Sequence, residues 1–234
     1  MGIGRIPIPG KNKLRTILLK TGISISYRLN KGDMQSIREV LLDECYRLPS
    51  DKKRKILVDL GGNIGLTSLW LAKHYGCEQV ICVEPDISNS ELLQRNLEAN
   101  EIQYKLINAA VGPADGYACF IESGSSNAGH LGEHGQKVKM VSMGTLVQTE
   151  LKNGIIDVLK MDIEGGEQSL LTEGDLSWLN KVNEIIAEFH PDCVDYPRLI
   201  DILKQVGFEY SSPGTHFPGS MDYFRRVAAD VSPL

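Results

Sequence analysis

The chain alternates short, mainly apolar runs with segments in which apolar residues recur at helical spacing. The mainly apolar runs lie at residues 56–58, 79–83, 104–110, 155–161 and 182–189. Runs that are apolar throughout are typical of strands buried on both faces of a parallel sheet. Two more strands are predicted after the last helix, at 208–211 and 223–227. The pattern predicts an α/β fold with a mostly parallel sheet, helices on both faces and an antiparallel edge strand.

Residues 1–50 are predicted to form an N-terminal extension ahead of one main domain at 51–234. β-forming residues on both sides of a Thr-Gly pair predict a hairpin over 14–28, and apolar residues at helical spacing predict a helix over 33–46. The extension could cover a bound cofactor or its acceptor, or it could simply pad the sheet.

Length and charge narrow the class of protein. A chain of 234 residues fits one sizeable α/β domain plus an extension. The net charge of −5 and the pI near 5.6 argue against a nucleic-acid partner. There is no apolar run of about 18 residues, so no membrane association is expected. The five cysteines include no C-x-x-C pair, which predicts reduced, mostly buried thiols in a cytoplasmic protein.

The stretch ILVDLGGNIG, residues 56–65, predicts a buried strand, a glycine turn and then a helix beginning near Asn63. Glycines at this point permit positive φ angles and close approach of a ligand to the backbone. The dinucleotide fingerprint is absent, because Asn63 and Leu66 stand where its glycines would be. The Lys-Ser/Thr pair of a phosphate-binding loop is also absent, so the turn favours a nucleoside without a phosphate clamp.

A second acid follows the next predicted strand. Glu84 lies 25 positions after Asp59, where an acid at the end of the second strand of a doubly wound sheet binds a ribose diol. The alternative is that Glu84 is a solvent-facing loop acid. Two acids without a phosphate site suit S-adenosylmethionine, which is a nucleoside with a cationic sulfonium and no phosphates.

The residues assigned to this cofactor, and to its product S-adenosylhomocysteine, come from three strand ends. Asn108 and Ala109 follow the third predicted strand, where an adenine edge would lie. The complete set is Asp59, Gly61, Asn63, Gly65, Glu84, Pro85, Asp86, Asn108 and Ala109.

Residues 122–136, ESGSSNAGHLGEHGQ, form a long polar segment between two predicted strands. Long loops in compact domains are often lids, so a lid over the acceptor and a plain mobile loop are both open. His130 and His134 could share a metal on a helix, but the neighbouring glycines make a helix unfavourable. We therefore expect exposed loop histidines and assign no metal ligands.

Three candidate catalytic residues follow buried strands. Asp162 and Glu164 come directly after the run at 155–161, and their spacing of two would place them on one side of an extended chain. His190 follows the run at 182–189, and its alternative is a structural, hydrogen-bonded histidine. The carboxyl ends of parallel strands meet in one crevice, so these side chains are expected to face a ligand.

Five motifs together resemble the FkbM-type S-adenosylmethionine-dependent methyltransferases. They are VDLGGNIG at 58–65, VEPD at 83–86, NAAVG at 108–112, LKMDIEGGE at 159–167 and AEFHP at 187–191. The resemblance covers about residues 55–210. It implies a Rossmann-like class I methyltransferase fold, with seven strands and the last strand inserted antiparallel. It also implies methyl transfer to oxygen, commonly a hydroxyl of a sugar or other glycan, or of a small-molecule secondary metabolite.

A hydroxyl is a poor nucleophile, so a general base assists by removing its proton as the new bond forms. Asp162 is predicted to contact the reaction centre, with Glu164 and His190 as other candidates for the base or for orienting groups. One alternative is an N-methyltransferase or aminopropyl transferase on the same fold. Another is a non-catalytic nucleoside-binding module, against which the acids at positions 59, 84 and 162 argue.

Overall fold

The structure, a computed structural model, describes residues 12–121, 129–152, 154–190, 192–211 and 221–227. Its strands are β1 (Leu14–Leu18), β2 (Ser24–Arg28), β3 (Ile56–Leu60), β4 (Gln79–Val83), β5 (Tyr104–Ile107), β6 (Ala110–Gly112), β7 (Gly116–Ile121), β8 (His130–Gly132), β9 (Gln136–Ser142), β10 (Ile156–Met161), β11 (Val182–Ala187), β12 (Phe208–Ser211) and β13 (Asp222–Arg226). Its α-helices are α1 (Lys31–Ile37), α2 (Leu66–Tyr75), α3 (Ile87–Ala99), α4 (Met143–Glu150), α5 (Glu167–Thr172) and α6 (Tyr196–Gln205). A π-helical turn at Arg38–Leu42 and a 3₁₀ turn at Ser177–Lys181 complete the described elements.

The main sheet has seven strands in the order β12-β13-β11-β10-β3-β4-β5. β13 runs antiparallel to both of its neighbours, whereas the pairs from β11 to β5 are parallel. The predicted Rossmann-like α/β fold is therefore confirmed. The antiparallel strand lies one position in from the edge, in the inserted place that the family resemblance implies. The strand order reverses between β10 and β3, which opens a crevice at the carboxyl ends of the strands.

The sheet divides the apolar core into two layers, because alternate residues of a strand point to opposite faces. In β3, Leu57 packs with α2, α3 and the N-terminal segment, whereas Val58 packs with the layer that contains α4, α5 and α6. Both side chains are fully buried. This double coverage explains why the central strands are apolar throughout.

The N-terminal segment shares the core of the main domain. Ile25 of the β1–β2 hairpin is buried in the same layer as Leu57. The hairpin is held to α3 by two side chains, since Asn96 Oδ1 accepts the N–H of Ser26 at 2.7 Å and Asn100 Oδ1 accepts the N–H of Ser24 at 2.9 Å. The predicted boundary at residue 50 stays a prediction, but residues 12–48 pack against the sheet rather than standing apart.

The start of one helix differs from the sequence prediction. The helix expected near Asn63 begins at Leu66, because Asn63 and Gly65 have left-handed φ angles of 48° and 80°. The helix after β4 begins at Ile87 and is capped by Asp86, whose carboxylate accepts the N–H of Asn89 at 2.8 Å.

A second sheet of four strands, in the order β6-β9-β7-β8, lies beside the main one. The predicted strand at 104–110 is broken, since β5 ends at Ile107 and β6 begins at Ala110 in parallel pairing with β9. Part of the predicted loop at 122–136 is also a strand: β8 pairs with the end of β7. Residues 122–128 of that loop lie outside the described residues.

The five cysteines are all free, with Cys82 buried, Cys193 exposed and the other three half-buried. The expectation that most would be buried is therefore wrong. Among the described residues, no helix is long and apolar enough to cross a membrane.

Candidate active site

A cavity of about 350 Å³ lies at the carboxyl ends of the central strands, where the strand order reverses. At one end, which we name the turn end, it is lined by Gly61, Gly62, Asn63 and Glu84. At the other, the acidic end, it is lined by Asp162, Glu164, Glu188 and His190. The N-terminal segment and β8 also contribute to its wall.

The glycine turn is fixed by close packing against its neighbours. Gly61 has a φ of 77°, and a Cβ there would lie 1.9 Å from the backbone oxygen of Asp162. A Cβ on Gly62 would lie 2.6 Å from a side-chain carbon of Leu93. No larger residue fits at Gly61 without moving backbone, so the turn lies directly against the strand end that carries Asp162.

Glu84 is buried at the turn end and is held from two directions. Its Oε2 accepts the N–H of Asn63 at 2.8 Å, and its Oε1 accepts the N–H of Asp86 at 2.9 Å. Burial raises the pKa of Glu84 to about 7. A carboxylate oxygen accepts two hydrogen bonds, so each oxygen keeps capacity for one ligand hydroxyl. The residue is therefore not a solvent-facing loop acid, and its setting fits a vicinal diol.

Asn63 presents a polar atom that has no partner among the described residues. Its Nδ2 donates to Ser36 Oγ at 3.1 Å, whereas its buried Oδ1 accepts no hydrogen bond. Buried polar atoms are normally satisfied, so an orphan acceptor that lines a cavity fits a ligand with a donor group.

Asp59 does not face the cavity. Its fully buried carboxylate accepts from Ser68 Oγ at 2.6 Å and forms an ion pair with Lys160 Nζ at 3.1 Å. Asp59 thus lies behind the turn, and its charge is already compensated within the protein.

The remaining residues assigned to the cofactor divide into two groups. Pro85 and Ala109 line the cavity. Gly65 and Asp86 cap helices, and the Nδ2 of Asn108 donates to the backbone oxygen of Glu84 at 2.9 Å. This second group frames the turn end without lining it.

The acidic end brings together all three predicted catalytic residues. Asp162 follows β10 directly, and its Oδ2 accepts the hydroxyl of Tyr46 at 3.0 Å and lies 3.7 Å from Lys160 Nζ. Glu164 is not on an extended strand, because β10 ends at Met161 and Glu164 has a left-handed φ of 54°. The prediction that Asp162 and Glu164 lie on one side of an extended chain was therefore wrong, although both acids line the cavity.

His190 lies between two glutamates. Its Nε2 is 3.3 Å from Glu164 Oε2, and its Nδ1 is 3.8 Å from Oε1 of Glu167, which is fully buried. Interaction with Glu167 raises the pKa of His190 to about 9, even though burial opposes this shift. Burial and the Asp162 charge raise the pKa of Glu164 to about 7 and that of Glu188 to about 8.

Three residues of this end were not among the sequence candidates: Tyr46, Lys160 and Glu188. Glu188 precedes His190 by two positions. An acid so close to a candidate histidine at a strand end could have identified it. Lys160 is a buried lysine in the mainly apolar strand β10, and the sheet register sets it beside Asp59. Although burial alone would lower it, the carboxylates of Asp59 and Asp162 raise the pKa of Lys160 above its usual value. Tyr46 is 116 positions from Asp162, and no local pattern links them.

Acidic and basic side chains nearly balance on the described cavity wall. Glu39, Glu84, Asp162, Glu164 and Glu188 face Lys31, Lys160 and His190. The raised pKa values leave Glu84, Glu164 and Glu188 partly protonated near pH 7, whereas the raised pKa of His190 keeps its imidazole charged. Lys160 is already committed to Asp59 and to the backbone oxygen of Gly61, at 2.6 Å.

This fold and this site together define the Rossmann-like methyltransferase class, in which a glycine turn and a second-strand acid share a crevice with residues of the fourth and fifth parallel strands. Residues 59–210 match the Methyltransferase FkbM domain. The chain belongs to this family of S-adenosylmethionine-dependent methyltransferases.

Relatives agree with this assignment. "Methyltransferase 1" of Beauveria bassiana is 20% identical over 196 residues, which cover 73% of this chain and 79% of that protein. "Methyltransferase sdnD" of Sordaria araneosa is 23% identical over 220 residues, covering 78% of this chain and 85% of that protein. The crystal structure of Methyltransferase FkbM from Methylobacillus flagellatus KT aligns with a TM-score of 0.53 at 17% identity over 80% of this chain. This chain spans 47% of that structure, so the likeness shows the shared fold.

Proposed function

We propose that this chain binds S-adenosylmethionine in the described cavity and transfers its methyl group to a hydroxyl oxygen of a small molecule or glycan. The proposal rests on one cavity that contains two acids with different settings. Glu84, a buried acid suited to a diol, and the catalytic candidate Asp162 lie on either side of the Gly61 turn. The bound cofactor would supply an electrophilic methyl group on a sulfonium sulfur.

The turn end fits the nucleoside part of this cofactor. Glu84 would accept hydrogen bonds from the two ribose hydroxyls, since both of its oxygens are held in place by backbone N–H groups. Gly61 and Gly62 would allow the ligand to lie against the backbone, and the orphan Oδ1 of Asn63 would accept from a donor on the ligand. The carboxylate of Asp162, beside the turn, would offset the positive charge of the sulfonium.

The acidic end would position the acceptor. Methyl transfer is an in-line displacement, so much of its rate comes from holding the acceptor oxygen in line with the methyl group. Asp162 is directed by Tyr46 and Lys160, and we assign it the contact with the acceptor hydroxyl, as base or as orienting group. Glu164 and His190 lie beside it and complete the wall.

Transfer to nitrogen, or transfer of an aminopropyl group, is the second candidate function. The carboxyl groups of the acidic end would also suit an amine acceptor. The acceptor screen therefore has to include amines. A non-catalytic module is disfavoured, because the buried carboxylate of Glu84 and the paired Asp162 are retained. Free cysteines and a net charge of −5 support a cytoplasmic enzyme with no nucleic-acid partner.

The test is a methyl-transfer screen with labelled S-adenosylmethionine against hydroxylated small molecules and glycans, with matched amines in parallel. We expect the label to appear as a methyl ether and S-adenosylhomocysteine to form in equal amount. Label recovered on nitrogen alone would replace the oxygen assignment with the second candidate.

A further inference from the structure

The acidic end contains three side chains with the spacing of a metal site. Asp162, Glu188 and His190 each offer one ligand atom, and these atoms all lie within 4.8 Å of one another. They come from the ends of two adjacent parallel strands, β10 and β11, so the sheet itself fixes their separation. Two oxygens and one nitrogen form a mixed donor set, which distinguishes the group from a plain cluster of acids.

The imidazole of His190 is backed by a buried carboxylate. Its Nδ1 faces Glu167 Oε1 at 3.8 Å, which leaves Nε2 on the side of Glu164. Glu167 is fully buried, its Oε1 also accepts the N–H of Ile163 at 2.8 Å, and its Oε2 has no partner among the described residues. A histidine that binds a metal usually has its other ring nitrogen held by a carboxylate. Glu167 stands on the side of His190 where such a carboxylate would lie, although at 3.8 Å no hydrogen bond joins it to Nδ1.

Asp162 is also held from behind. Tyr46 donates its hydroxyl to Oδ2 of Asp162 at 3.0 Å, and Tyr46 is itself buried. Such contacts orient a ligating carboxylate before the metal binds. Lys160 Nζ lies 3.7 Å from Asp162 Oδ2 and 3.1 Å from Asp59 Oδ1, so its charge is shared between two carboxylates.

We propose that Asp162, Glu188 and His190 bind a divalent cation, with Mn²⁺ preferred to Mg²⁺ and Ca²⁺. Carboxylates suit all three ions, and the imidazole favours the first-row transition metal. Three protein ligands leave positions open for oxygens of another molecule. Binding of the cation stands on the geometry alone. Its role in catalysis rests on the proposed function: the cation would hold the acceptor hydroxyl in line with the methyl group and ease loss of its proton to water, with Asp162 as an orienting group rather than as the base.

The test uses the full chain, stripped with a chelator and then dialysed, and titrated calorimetrically with MnCl₂, MgCl₂ or CaCl₂ in the absence of cofactor and acceptor. We expect one Mn²⁺ per chain in the wild type and affinity lower by about tenfold or more in Glu188→Gln and His190→Ala. Glu39→Gln is the matched control, because Glu39 is a carboxylate of the same cavity outside the three ligands. It should keep the wild-type Mn²⁺ affinity.

A second measurement uses only the wild-type protein, so its outcome does not depend on whether a variant folds. Electron spin echo modulation of Mn²⁺ bound to the wild type should show coupling to one imidazole nitrogen. Absence of Mn²⁺ binding at millimolar concentration, or equal affinity in wild type, Glu188→Gln and His190→Ala, would overturn the site.

Methyl transfer is then measured on the stripped and the Mn²⁺-loaded protein with an acceptor from the screen. A large rise with Mn²⁺ supports the catalytic role. Unchanged turnover despite Mn²⁺ binding overturns that role and keeps the site. Turnover by a protein that binds no Mn²⁺ overturns the site and leaves the proposed function standing.

Discussion

Asp162 is in contact with two groups that determine its direction and charge, the Tyr46 hydroxyl and the Lys160 ammonium. In a structural role, backbone N–H groups of the turn at Gly165–Gly166 would instead satisfy this carboxylate. In the structure the N–H of Gly166 donates to the backbone oxygen of Ile163, so that turn does not engage Asp162. The side chain is therefore available to the cavity.

Replacing Asp162 with asparagine keeps its size but removes its charge and basicity. We expect turnover at saturating cofactor to fall by roughly 10²–10⁴-fold, the usual contribution of a positioned general base. Cofactor affinity should change much less, since its contacts come from the turn end. Measurements of kcat, cofactor affinity and Tm on one sample test this. Near-normal kcat with a lowered Tm would return Asp162 to a structural role.

The pH dependence of nucleoside binding follows from Glu84. Its pKa is raised to about 7 by burial, although the hydrogen bonds from the backbone N–H groups of Asp86 and Asn63 oppose this shift. Glu84 is therefore mostly protonated at pH 6 and mostly ionised at pH 8, and the ionised form accepts both ribose hydroxyls. We expect adenosine affinity to increase with pH through about 7, by up to roughly tenfold per unit on the acid side. Glu84→Gln should bind weakly and without this dependence; the same slope in that variant would exclude Glu84 as its source.

At the scale of elements, the N-terminal segment contributes directly to the site through Tyr46. Tyr46→Phe keeps the buried ring and removes one hydrogen bond to a charged group, which is worth about 1.5–3 kcal/mol. If that bond directs Asp162 during transfer, kcat should fall by about tenfold or more while cofactor affinity is kept. Steady-state kinetics with separate kcat and KM values measure this effect.

Tyr75→Phe is the matched control for Tyr46→Phe. The Tyr75 hydroxyl accepts the N–H of Leu48 at 2.7 Å, away from the acidic end. This variant should lower Tm and leave kcat near the wild-type value. Equal losses of kcat in the two variants would show that the tyrosines act through stability alone.

The segment between β7 and β9 was predicted to close over the acceptor. Its described part lines the cavity through Gly129, His130 and Leu131. Leu131 of β8 also packs with Ala110 and Phe120, and Ala110 is next to the predicted adenine contact Ala109. We therefore expect Leu131→Ala to weaken S-adenosylmethionine binding more than it raises the KM of the acceptor. The reverse pattern, with acceptor KM raised and cofactor affinity unchanged, would support the lid over the acceptor.

The sequence predicts a helix or strand well when neighbouring residues determine it. It predicts poorly an element that depends on contacts with distant parts of the chain. The central strands β3, β4, β10 and β11 follow from apolar runs and were predicted to within two residues at each end. The start of α2 was placed three positions early, because left-handed angles at Asn63 and Gly65 do not follow from residue periodicity. β8 was missed, since its pairing with β7 is a tertiary contact of a short, polar segment.

At the scale of the whole molecule, the sheet brings together residues whose proximity the sequence does not state. Strand ends predicted that Asp162 and His190 would share a crevice with Glu84. The ion pair of Asp59 with Lys160 joins two adjacent strands whose residues are about 100 positions apart in the chain. The sequence could therefore place Asp59 at the turn, but it could not identify Lys160 as its partner. Tyr46 depends on how the N-terminal segment packs, and only the folded chain reveals it.

The turn end of the cavity is assigned to the nucleoside, and the acidic end is assigned to the chemistry. Calorimetric titration of S-adenosylmethionine into wild type, Glu84→Ala and Asp162→Asn tests this assignment without knowledge of the acceptor. We predict one site per chain, a loss of about 1.5–3 kcal/mol of binding free energy in Glu84→Ala, and little change in Asp162→Asn. Wild-type affinity in a folded Glu84→Ala protein, or an equal loss in both variants, would contradict this division of the cavity.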